Sequence, residues 1–395
     1  MPAKRIAGLV LRAAILFCAC AVTLRAATAA PLPVSVAAPS VQRAIVAAIE
    51  KGRRVYGGRT PIPGVLLGVW DGAGGSFVRT FGYADLAKRR PLRADDHFYI
   101  GSNTKTFVVA VLLQLVDEKK LSLDDPLSRF SFGVKIPNGQ NVTVRELCEM
   151  RSGLFEAYNT PQVDKLMTSG NGNAKFDART MVGWAMQQKP YFAPDKRYRY
   201  TNTNYLILGL IVESLTHDTI ADQIRKRLLV PYDLTQTSYP NTEAMPDPWA
   251  RGYAFDKNRN WEDVSGTIPV SLMGATGAMI SDMADMRRWI PAYVNGKPFS
   301  AAMHRALMQC KSVGAPGQGF GLALGCSSGW YGYTGGLPGY NTANYLFPAT
   351  GAFVVVWVDA QIGKPDPGVA NAMFRDVART LTPRNVPYPP GANGL

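Results

Sequence analysis

The sequence predicts an α+β fold in which an antiparallel sheet is flanked by terminal helices and a mostly helical domain is inserted into the sheet domain. Two observations predict it: strand patterns are concentrated towards both ends of the 395-residue chain, and helical patterns fill the middle. Hydrophobic residues make up 47% of the chain, which is ample for a large core. The predicted boundaries are residues 40–103 and 266–382 for the discontinuous sheet domain, 104–265 for the helical insert and 383–395 for a tail.

Residues 1–29 are predicted to be an export signal. Lys4 and Arg5 provide a positively charged start, and residues 13–24 form an apolar stretch that is too short to cross a bilayer unaided. Ala27 and Ala29 fit the small residues of a cleavage site. We therefore expect a periplasmic or secreted protein with no stable membrane span after processing. A retained N-terminal anchor is the alternative.

The first part of the remaining chain combines helices and strands. A helix is predicted over residues 41–51, and two strands over 64–70 and 77–82 are separated by a glycine-rich turn. A short extended run over 97–100 then leads into a helix over 102–118. This helix is apolar nearly all round, so we expect it to be buried.

The middle of the chain consists of helical stretches separated by loops, and the clearest helix is predicted over 205–215. Strand patterns dominate towards the C-terminus. The elements predicted there are a helix over 283–294, strands over 320–324, 329–333, 344–347 and 352–358, and a helix over 368–381. A catalytic or binding site is expected between the helical insert and the sheet.

Charge and histidine content argue against two kinds of site. The formal net charge is +14, but Lys and Arg are scattered, and no basic run alternates with aromatic residues. No nucleic-acid partner is therefore predicted, and attraction to an anionic surface is the milder expectation. The chain has 3 histidines and no Cys/His group at metal-ligand spacing, so we predict no metal site and no cofactor.

Ser102 and Lys105 form the strongest candidate for catalytic chemistry. Residues at i and i+3 on a helix face the same way, so the hydroxyl and the amine would lie one turn apart. A serine needs a base to become nucleophilic, and a lysine whose pKa burial lowers towards about 7–8 can supply it. Backbone N–H groups at the start of this helix could also hold an oxyanion. The alternative is a helix-capping serine beside an exposed lysine.

Two further motifs are candidates for the same site, although each is weak when considered alone. Tyr200-Thr-Asn202 is a polar turn directly before the clearest helix of the middle segment. Its phenol could relay protons, and its amide could hold Lys105 and a substrate carbonyl. Tyr333-Thr-Gly-Gly336 lies on a predicted strand that ends in glycines, against which a substrate backbone could lie.

The order of these three motifs resembles that of the serine β-lactamase and penicillin-binding-protein superfamily. It is most similar to the branch that contains class C β-lactamases, serine D-alanyl-D-alanine carboxypeptidases and related esterases. Flanking stretches carry the resemblance further, at residues 81–85, 98–105, 151–154, 277–285 and 335–340. The resemblance covers about residues 40–381 and implies a β-lactamase/transpeptidase-like fold.

The resemblance also implies a role for each residue of the motifs. Ser102 would be the acylated nucleophile, Lys105 its base and Tyr200 a second proton-transfer group. The backbone N–H groups of Ser102 and Gly336 would form the oxyanion hole. The residues expected to contact substrate are Asn202, Tyr333, Thr334 and Gly335. The family usually has Lys or His where this chain has Tyr333, and a phenol can offer a substrate carboxylate only a neutral hydrogen bond.

The function implied by the resemblance is an exported serine hydrolase of the D-alanyl-D-alanine carboxypeptidase type. It would form an acyl-enzyme with peptidoglycan-like peptides or other small molecules, and β-lactams are expected covalent ligands. The alternatives are an esterase or amidase of the same fold, which Tyr333 favours, a β-lactamase, a penicillin-binding sensor that acylates without turnover, and a catalytically inactive relative. A Ser-His-Asp hydrolase is disfavoured because histidine is scarce.

Three cysteines, Cys148, Cys310 and Cys326, lie outside the predicted signal. Export permits a disulfide between Cys310 and Cys326, which would close a loop of about 15 residues. Two buried free thiols are the alternative.

Overall fold

The computed structural model describes residues 34–168, 176–240, 242, 244–362 and 368–387. The predicted export signal and the end of the predicted tail lie outside these described residues. The strands are β1 Gly64–Trp70, β2 Ser76–Asp85, β3 Arg90–Pro91, β4 Phe98–Tyr99, β5 Tyr253–Phe255, β6 Trp261–Asp263, β7 Ile280–Ser281, β8 Lys311–Ser312, β9 Gln318–Phe320, β10 Gly325–Ser327, β11 Trp330–Leu337, β12 Tyr340–Phe347, β13 Ala352–Val358 and β14 Ala360–Gln361. The helices are α1 Pro39–Gly57, α2 Thr104–Asp117, α3 Val144–Cys148, α4 Pro161–Thr168, α5 Ala178–Met186, α6 Thr203–Thr216, α7 Ile220–Ile224, α8 Val270–Met273, α9 Met283–Val294, α10 Ala301–Leu307 and α11 Val369–Leu381.

An antiparallel sheet lies at the centre of the described residues and contains nine strands in the order β3-β2-β1-β13-β12-β11-β10-β9-β8. Strands from the two ends of the chain are neighbours in it. β1 pairs with β13, so that Val65 lies opposite Val358 and Trp70 opposite Phe353. The structure therefore confirms the predicted α+β class and the antiparallel sheet assembled from both ends of the sequence.

Both faces of the central strands are covered, as β13 shows. Successive side chains of a strand point to opposite faces of the sheet. Phe353, Val355 and Trp357 therefore enter the core that the sheet shares with α2, α6 and α9. Val354 and Val356 enter a second core, with α1 and α11. Because both faces are dry, the strand is apolar throughout and shows no polar alternation.

Helix α2 carries the predicted catalytic lysine and is buried over most of its length. Every side chain from Thr104 to Leu113 is buried. Phe107 stacks on Trp289 of α9, with ring centroids 4.2 Å apart. Burial of each large apolar side chain stabilises the fold by about 1.5–3 kcal/mol, so α2 is held rigidly by packing.

None of the helices in the described part of the chain is both long and apolar enough to cross a membrane.

The predicted strand over 320–324 is wrong. β9 ends at Phe320 and β10 begins at Gly325, and these two residues lie opposite each other in an antiparallel pair. The residues between them form a turn in which the Gly321 N–H donates to the Leu324 carbonyl at 2.8 Å. Leu322 and Leu324 are fully buried. Their apolar character therefore reflects burial of a tight turn and not an extended chain.

Candidate active site

Ser102 lies in a single 3₁₀ turn, Gly101–Asn103, that runs directly into α2. The chain thus continues from Ser102 into Lys105 without a break, as the spacing of the two residues predicts. The Lys105 Nζ donates to the Ser102 Oγ at 3.0 Å. Ser102 is partly exposed, whereas Lys105 has no solvent-accessible surface.

The turn that carries Ser102 is anchored to the sheet by Asn103, which is fully buried. The Asn103 Nδ2 donates to the Thr342 Oγ1 on β12 at 3.0 Å, and its Oδ1 accepts from the Asn344 Nδ2 at 3.1 Å. The Trp357 indole of β13 donates to the Asn344 Oδ1 at 2.9 Å. The side-chain oxygen and nitrogen of both Asn103 and Asn344 are hydrogen-bonded, as buried amides require. The position of Ser102 is therefore fixed by the sheet.

Lys105 is surrounded by three acceptors. Besides Ser102, its Nζ donates to the Asn202 Oδ1 at 3.0 Å and to the Thr276 carbonyl at 2.6 Å. A neutral amine has two N–H groups and one lone pair. When the two N–H groups point to Asn202 and Thr276, the lone pair points to the Ser102 hydroxyl. This is the orientation in which lysine can accept the serine proton.

The charge state of Lys105 favours the same role. Burial lowers the pKa of Lys105 to about 7, because a desolvated ammonium is disfavoured; the nearby Glu156 carboxylate acts in the opposite direction. The rings of Tyr200 and Tyr205 lie 5.1 and 5.4 Å from the Nζ, measured to the ring centroids. Such ring contacts favour the ammonium, but with a pKa of about 7 a large fraction of the amine is still neutral near neutral pH.

Tyr200 contacts the nucleophile from another side. Its hydroxyl donates to the Ser102 Oγ at 2.7 Å. Burial raises the pKa of Tyr200 above its ordinary value, so the phenol keeps its proton in the resting site. Tyr200 can donate that proton when a leaving group departs from a substrate bound at Ser102.

Two glycines allow the turn of Ser102 to approach β11 closely. Gly101 has φ +53°, and a Cβ there would lie 2.9 Å from the Gly336 nitrogen. A Cβ on Gly335 would lie 2.0 Å from the Ile100 carbonyl oxygen. A side chain at either position would force the two segments apart. This close approach brings the backbones of Ser102 and Gly336 to the same side of the site, where the oxyanion hole is predicted.

A cavity of about 330 Å³ opens beside Ser102. Its volume lies within the range of about 300–1,000 Å³ that is usual for small-molecule sites. Tyr200, Asn202 and Gly336 contribute to its wall. The remaining lining is uncharged and mostly apolar, and the described residues in it are Tyr158, Val163, Ile268, Leu272, Met273, Thr276, Gly277, Leu337, Pro338 and Gln361.

Comparison with known proteins identifies the family. The family model described as Beta-lactamase matches residues 43–378. The chain belongs to the beta-lactamase family. It thereby belongs to the superfamily of serine β-lactamases and penicillin-binding proteins, which the order of the three sequence motifs predicts.

Individual relatives of this beta-lactamase-family chain are distant. It is 27% identical over 265 residues to protein flp of Staphylococcus aureus, covering 64% of this chain and 49% of the relative. It is 26% identical over 283 residues to the putative penicillin-binding protein PbpX of Bacillus subtilis, covering 70% of this chain and 65% of the relative. The chain thus spans about half to two thirds of the length of these curated relatives. A D-stereospecific amidohydrolase from Streptomyces sp. has a similar fold, with a TM-score of 0.74 and 25% identity over 86% of this chain and 98% of that structure.

The structure brings together Ser102, Lys105, Tyr200 and Asn202, and it buries the Tyr333 side chain next to Tyr200. The Tyr333 side chain is only 3% exposed and packs edge-on against Phe320, with ring centroids 5.7 Å apart. Its hydroxyl lies close enough to Tyr200 to influence its pKa, but in a geometry that makes no hydrogen bond. A contact between Tyr333 and a substrate carboxylate therefore stays a prediction.

Thr334 and Gly335, which follow Tyr333 on β11, differ in their exposure. Gly335 is buried against Ile100, where the lack of a side chain permits the close approach of two backbones; a contact between Gly335 and a substrate stays a prediction. Thr334 is partly exposed at the strand, but it does not belong to the described lining of the cavity. A contact between Thr334 and a substrate therefore stays a prediction.

Thr276, Tyr158 and Glu156 belong to the site but have no signature in the sequence. The Thr276 carbonyl receives the Lys105 amine, and the Thr276 Oγ1 is held by the Tyr158 hydroxyl at 2.6 Å. The Glu156 Oε2 accepts from the backbone N–H of Asn202 at 2.7 Å. Each lies next to a stretch of sequence that carries the family resemblance, and this proximity is the only feature of the sequence that could have indicated them. A backbone carbonyl has no sequence pattern, and a single Glu between apolar residues has none either.

Cys310 directly precedes β8 and Cys326 lies on β10, the two strands that flank β9, and their Cα atoms are 6.5 Å apart, in disulfide-bonding position. Disulfides usually have Cα atoms about 4.4–6.8 Å apart. Cys148 is buried and is not paired with either of the other two cysteines that the structure describes. Burial raises the pKa of its thiol, which makes it unreactive.

Proposed function

We propose that this protein is a serine hydrolase that forms an acyl-enzyme on Ser102 and cleaves amides or esters with an uncharged leaving group. The observation that carries the proposal is the set of contacts around Ser102: Lys105 at 3.0 Å and Tyr200 at 2.7 Å. A serine with two proton-transfer groups, next to a small uncharged cavity, is the arrangement that nucleophilic acyl transfer requires.

The proposed acylation begins when the Ser102 oxygen attacks the substrate carbonyl carbon and the serine proton passes to the Lys105 lone pair. Negative charge then develops on the carbonyl oxygen, which the N–H groups of Ser102 and Gly336 would stabilise. The bond to the leaving group breaks as Tyr200 protonates that group. The Lys105 ammonium then returns a proton to the Tyr200 phenolate, which lies beside the same Ser102 oxygen, so that both groups regain their resting protonation states. Water later hydrolyses the ester of Ser102 by the reverse sequence of proton transfers.

The uncharged cavity supports amidase or esterase activity over removal of a C-terminal D-alanine. No Lys or Arg occurs among the described residues that line it, and Tyr333 is not one of them. A substrate carboxylate would therefore lose its hydration without gaining a charged partner, which is unfavourable. The similarity to the Streptomyces protein described as a D-stereospecific amidohydrolase supports D-configured amino acid amides as substrates.

A D-alanyl-D-alanine carboxypeptidase is the second candidate. The partly exposed Thr334 favours it, since a hydroxyl on the strand beside Ser102 could donate to a substrate carboxylate. The relative described as a putative penicillin-binding protein is a further reason to test it. β-Lactamase activity would in addition require rapid hydrolysis of the penicilloyl ester of Ser102.

The deciding experiment compares leaving groups on one acyl group. Rates of hydrolysis would be measured for an acylated D-alanyl-D-alanine, its C-terminal amide and its methyl ester, together with a D-amino acid amide and its L-enantiomer. We expect the amide and methyl ester to be cleaved within about tenfold of the acid or faster. The free acid would be preferred more strongly only if a cation held its carboxylate, since such a charge-assisted contact is worth about 1.5–3 kcal/mol. A preference of more than about a hundredfold for the free acid would instead establish a carboxypeptidase that uses a cation outside the described lining.

We also propose that the protein acts outside the cytoplasm, on the basis of the signal pattern in residues 1–29. N-terminal sequencing of protein recovered from the cell envelope or the medium tests this. A start at Ala30 is expected, and an intact Met1 on cytoplasmic protein would contradict export.

A further inference from the structure

We infer that Glu156 is a positioning residue that fixes the Asn202 amide with its oxygen towards Lys105 and thereby directs the lone pair of the base at Ser102. The inference rests on the proposed acyl-transfer function. Glu156 precedes the short helical turn Ala157–Asn159 and is nine-tenths buried, with 9% exposure.

Glu156 receives hydrogen bonds at both carboxylate oxygens. Its Oε2 accepts from the Asn202 backbone N–H at 2.7 Å and from the Asn202 Nδ2 at 3.3 Å. Its Oε1 accepts from the Tyr158 backbone N–H at 3.1 Å. An amide group has one accepting end and one donating end. Because Glu156 engages the donating end of Asn202, the accepting end must face Lys105, to which it lies at 3.0 Å.

A reversed Asn202 amide would damage the site. Its NH₂ group would face the Lys105 Nζ and could donate to the lone pair that must accept the Ser102 proton. Glutamine in place of Glu156 permits such a reversal, since its own NH₂ group would face donors of either Tyr158 or Asn202. A carboxylate avoids this conflict because it only accepts. The residue type at position 156 therefore matters beyond its shape.

The charge of Glu156 also acts on Lys105. A carboxylate near the ammonium stabilises it, and burial raises the pKa of Glu156 while its backbone hydrogen bonds oppose that rise. The Tyr191 hydroxyl accepts from the Glu156 backbone N–H at 3.3 Å. Three tyrosines lie near Glu156 and Lys105: Tyr158, Tyr200 and Tyr205. Burial raises the pKa of each, so all three stay neutral as Lys105 titrates. Loss of the Glu156 charge should lower the pKa of Lys105.

The test follows the rate at which a fluorophosphonate labels Ser102 in the full chain, as a function of probe concentration and of pH from 5 to 9. The variants are Glu156→Gln, Glu156→Asp, Asn202→Ala and the double variant Glu156→Gln/Asn202→Ala. The matched control is Glu146→Gln. Glu146 is a partly buried acid of the same segment, and its Oε2 caps α3 by accepting from the Thr143 N–H at 2.8 Å.

We expect Glu156→Gln to lower the maximal labelling rate by about 10- to 100-fold with little change in probe affinity. The acidic limb of its pH profile should move to lower pH by about 0.5–1 unit. In the Asn202→Ala background the same change should cost less than about threefold, because two residues that act through one contact are not additive. Glu156→Asp should retain the wild-type midpoint of the acidic limb, and Glu146→Gln both the midpoint and the rate.

Other outcomes separate the inference from the proposed function. A Glu156→Gln variant that changes only probe affinity, that is fully additive with Asn202→Ala or that keeps the wild-type midpoint would overturn the positioning role. Wild-type protein that is not labelled, or labelling that persists in Ser102→Ala, would overturn the proposed function itself.

Discussion

The Lys105 amine lies 3.0 Å from the Ser102 hydroxyl oxygen and has two further acceptors, which leave one direction for its lone pair. This relationship combines geometry and charge in one place. Burial brings the pKa of Lys105 to about 7, and the Asn202 oxygen and the Thr276 carbonyl orient the neutral amine. The predictions below test the consequences of this arrangement.

Ser102 is predicted to carry the covalent adduct. Incubation with a penicillin or a fluorophosphonate should add one adduct mass to the intact protein, and Ser102→Ala should show none. Turnover of a chromogenic ester should fall by about 10⁴-fold or more in Ser102→Ala and by about 10³-fold in Lys105→Ala, since the nucleophile or its base is lost. An adduct mapped by peptide mass spectrometry to another serine would contradict the assignment.

The pH dependence of the reaction should report the titration of Lys105. Below its pKa of about 7 the Nζ is an ammonium and has no lone pair for the serine proton, so kcat/KM falls as pH falls. Between pH 6 and pH 8 we expect a rise of about tenfold. The basic limb should lie above pH 10 because burial raises the pKa of Tyr200. A flat profile from pH 5 to 8 would exclude Lys105 as the base.

Two tyrosines that differ in their contacts should differ in their effects. The Tyr200 hydroxyl donates to Ser102 at 2.7 Å, so Tyr200→Phe should lower kcat/KM by about 100-fold or more. The Tyr333 hydroxyl lies near Tyr200 but has no hydrogen bond to any described residue, so Tyr333→Phe should cost much less than Tyr200→Phe and remain within about threefold of wild type. Both variants remove one oxygen from a buried ring, and thermal unfolding of each serves as the control. Equal losses of activity would place Tyr333 in the proton path.

Cys310 and Cys326 are predicted to form a disulfide in the exported protein. Thiol counting under denaturing, non-reducing conditions on the chain without residues 1–29 should give one free thiol, that of Cys148. In the chain-entropy model the bridge closes a loop of about 15 residues and stabilises the fold by ~3 kcal/mol. A Cys326→Ala variant should therefore unfold at lower denaturant concentration than wild type. Three free thiols would contradict the bridge.

The sequence alone was sufficient to predict that the Ser102 hydroxyl and the Lys105 amine lie together. Ser102 and Lys105 are related by helical spacing, and local chain geometry alone places them one turn apart. Strand patterns at both ends of the chain, with helical patterns between them, predicted the α+β fold. The central strand could be recognised because a strand between two dry cores is apolar along its whole length. The cavity between helix and sheet follows from the same pattern.

Only the tertiary structure decided which groups orient these residues and which face the substrate. Glu156 and the Thr276 carbonyl reach the site through folding of distant segments, and no local pattern records such contacts. The location of Tyr333 was decided in the same way. Its ring packs against Phe320, which buries an aromatic surface, and its hydroxyl lies beside Tyr200; the spacing of the motif records neither contact. Spacing along a chain determines neighbours within one element, whereas packing between elements determines the direction in which each side chain points.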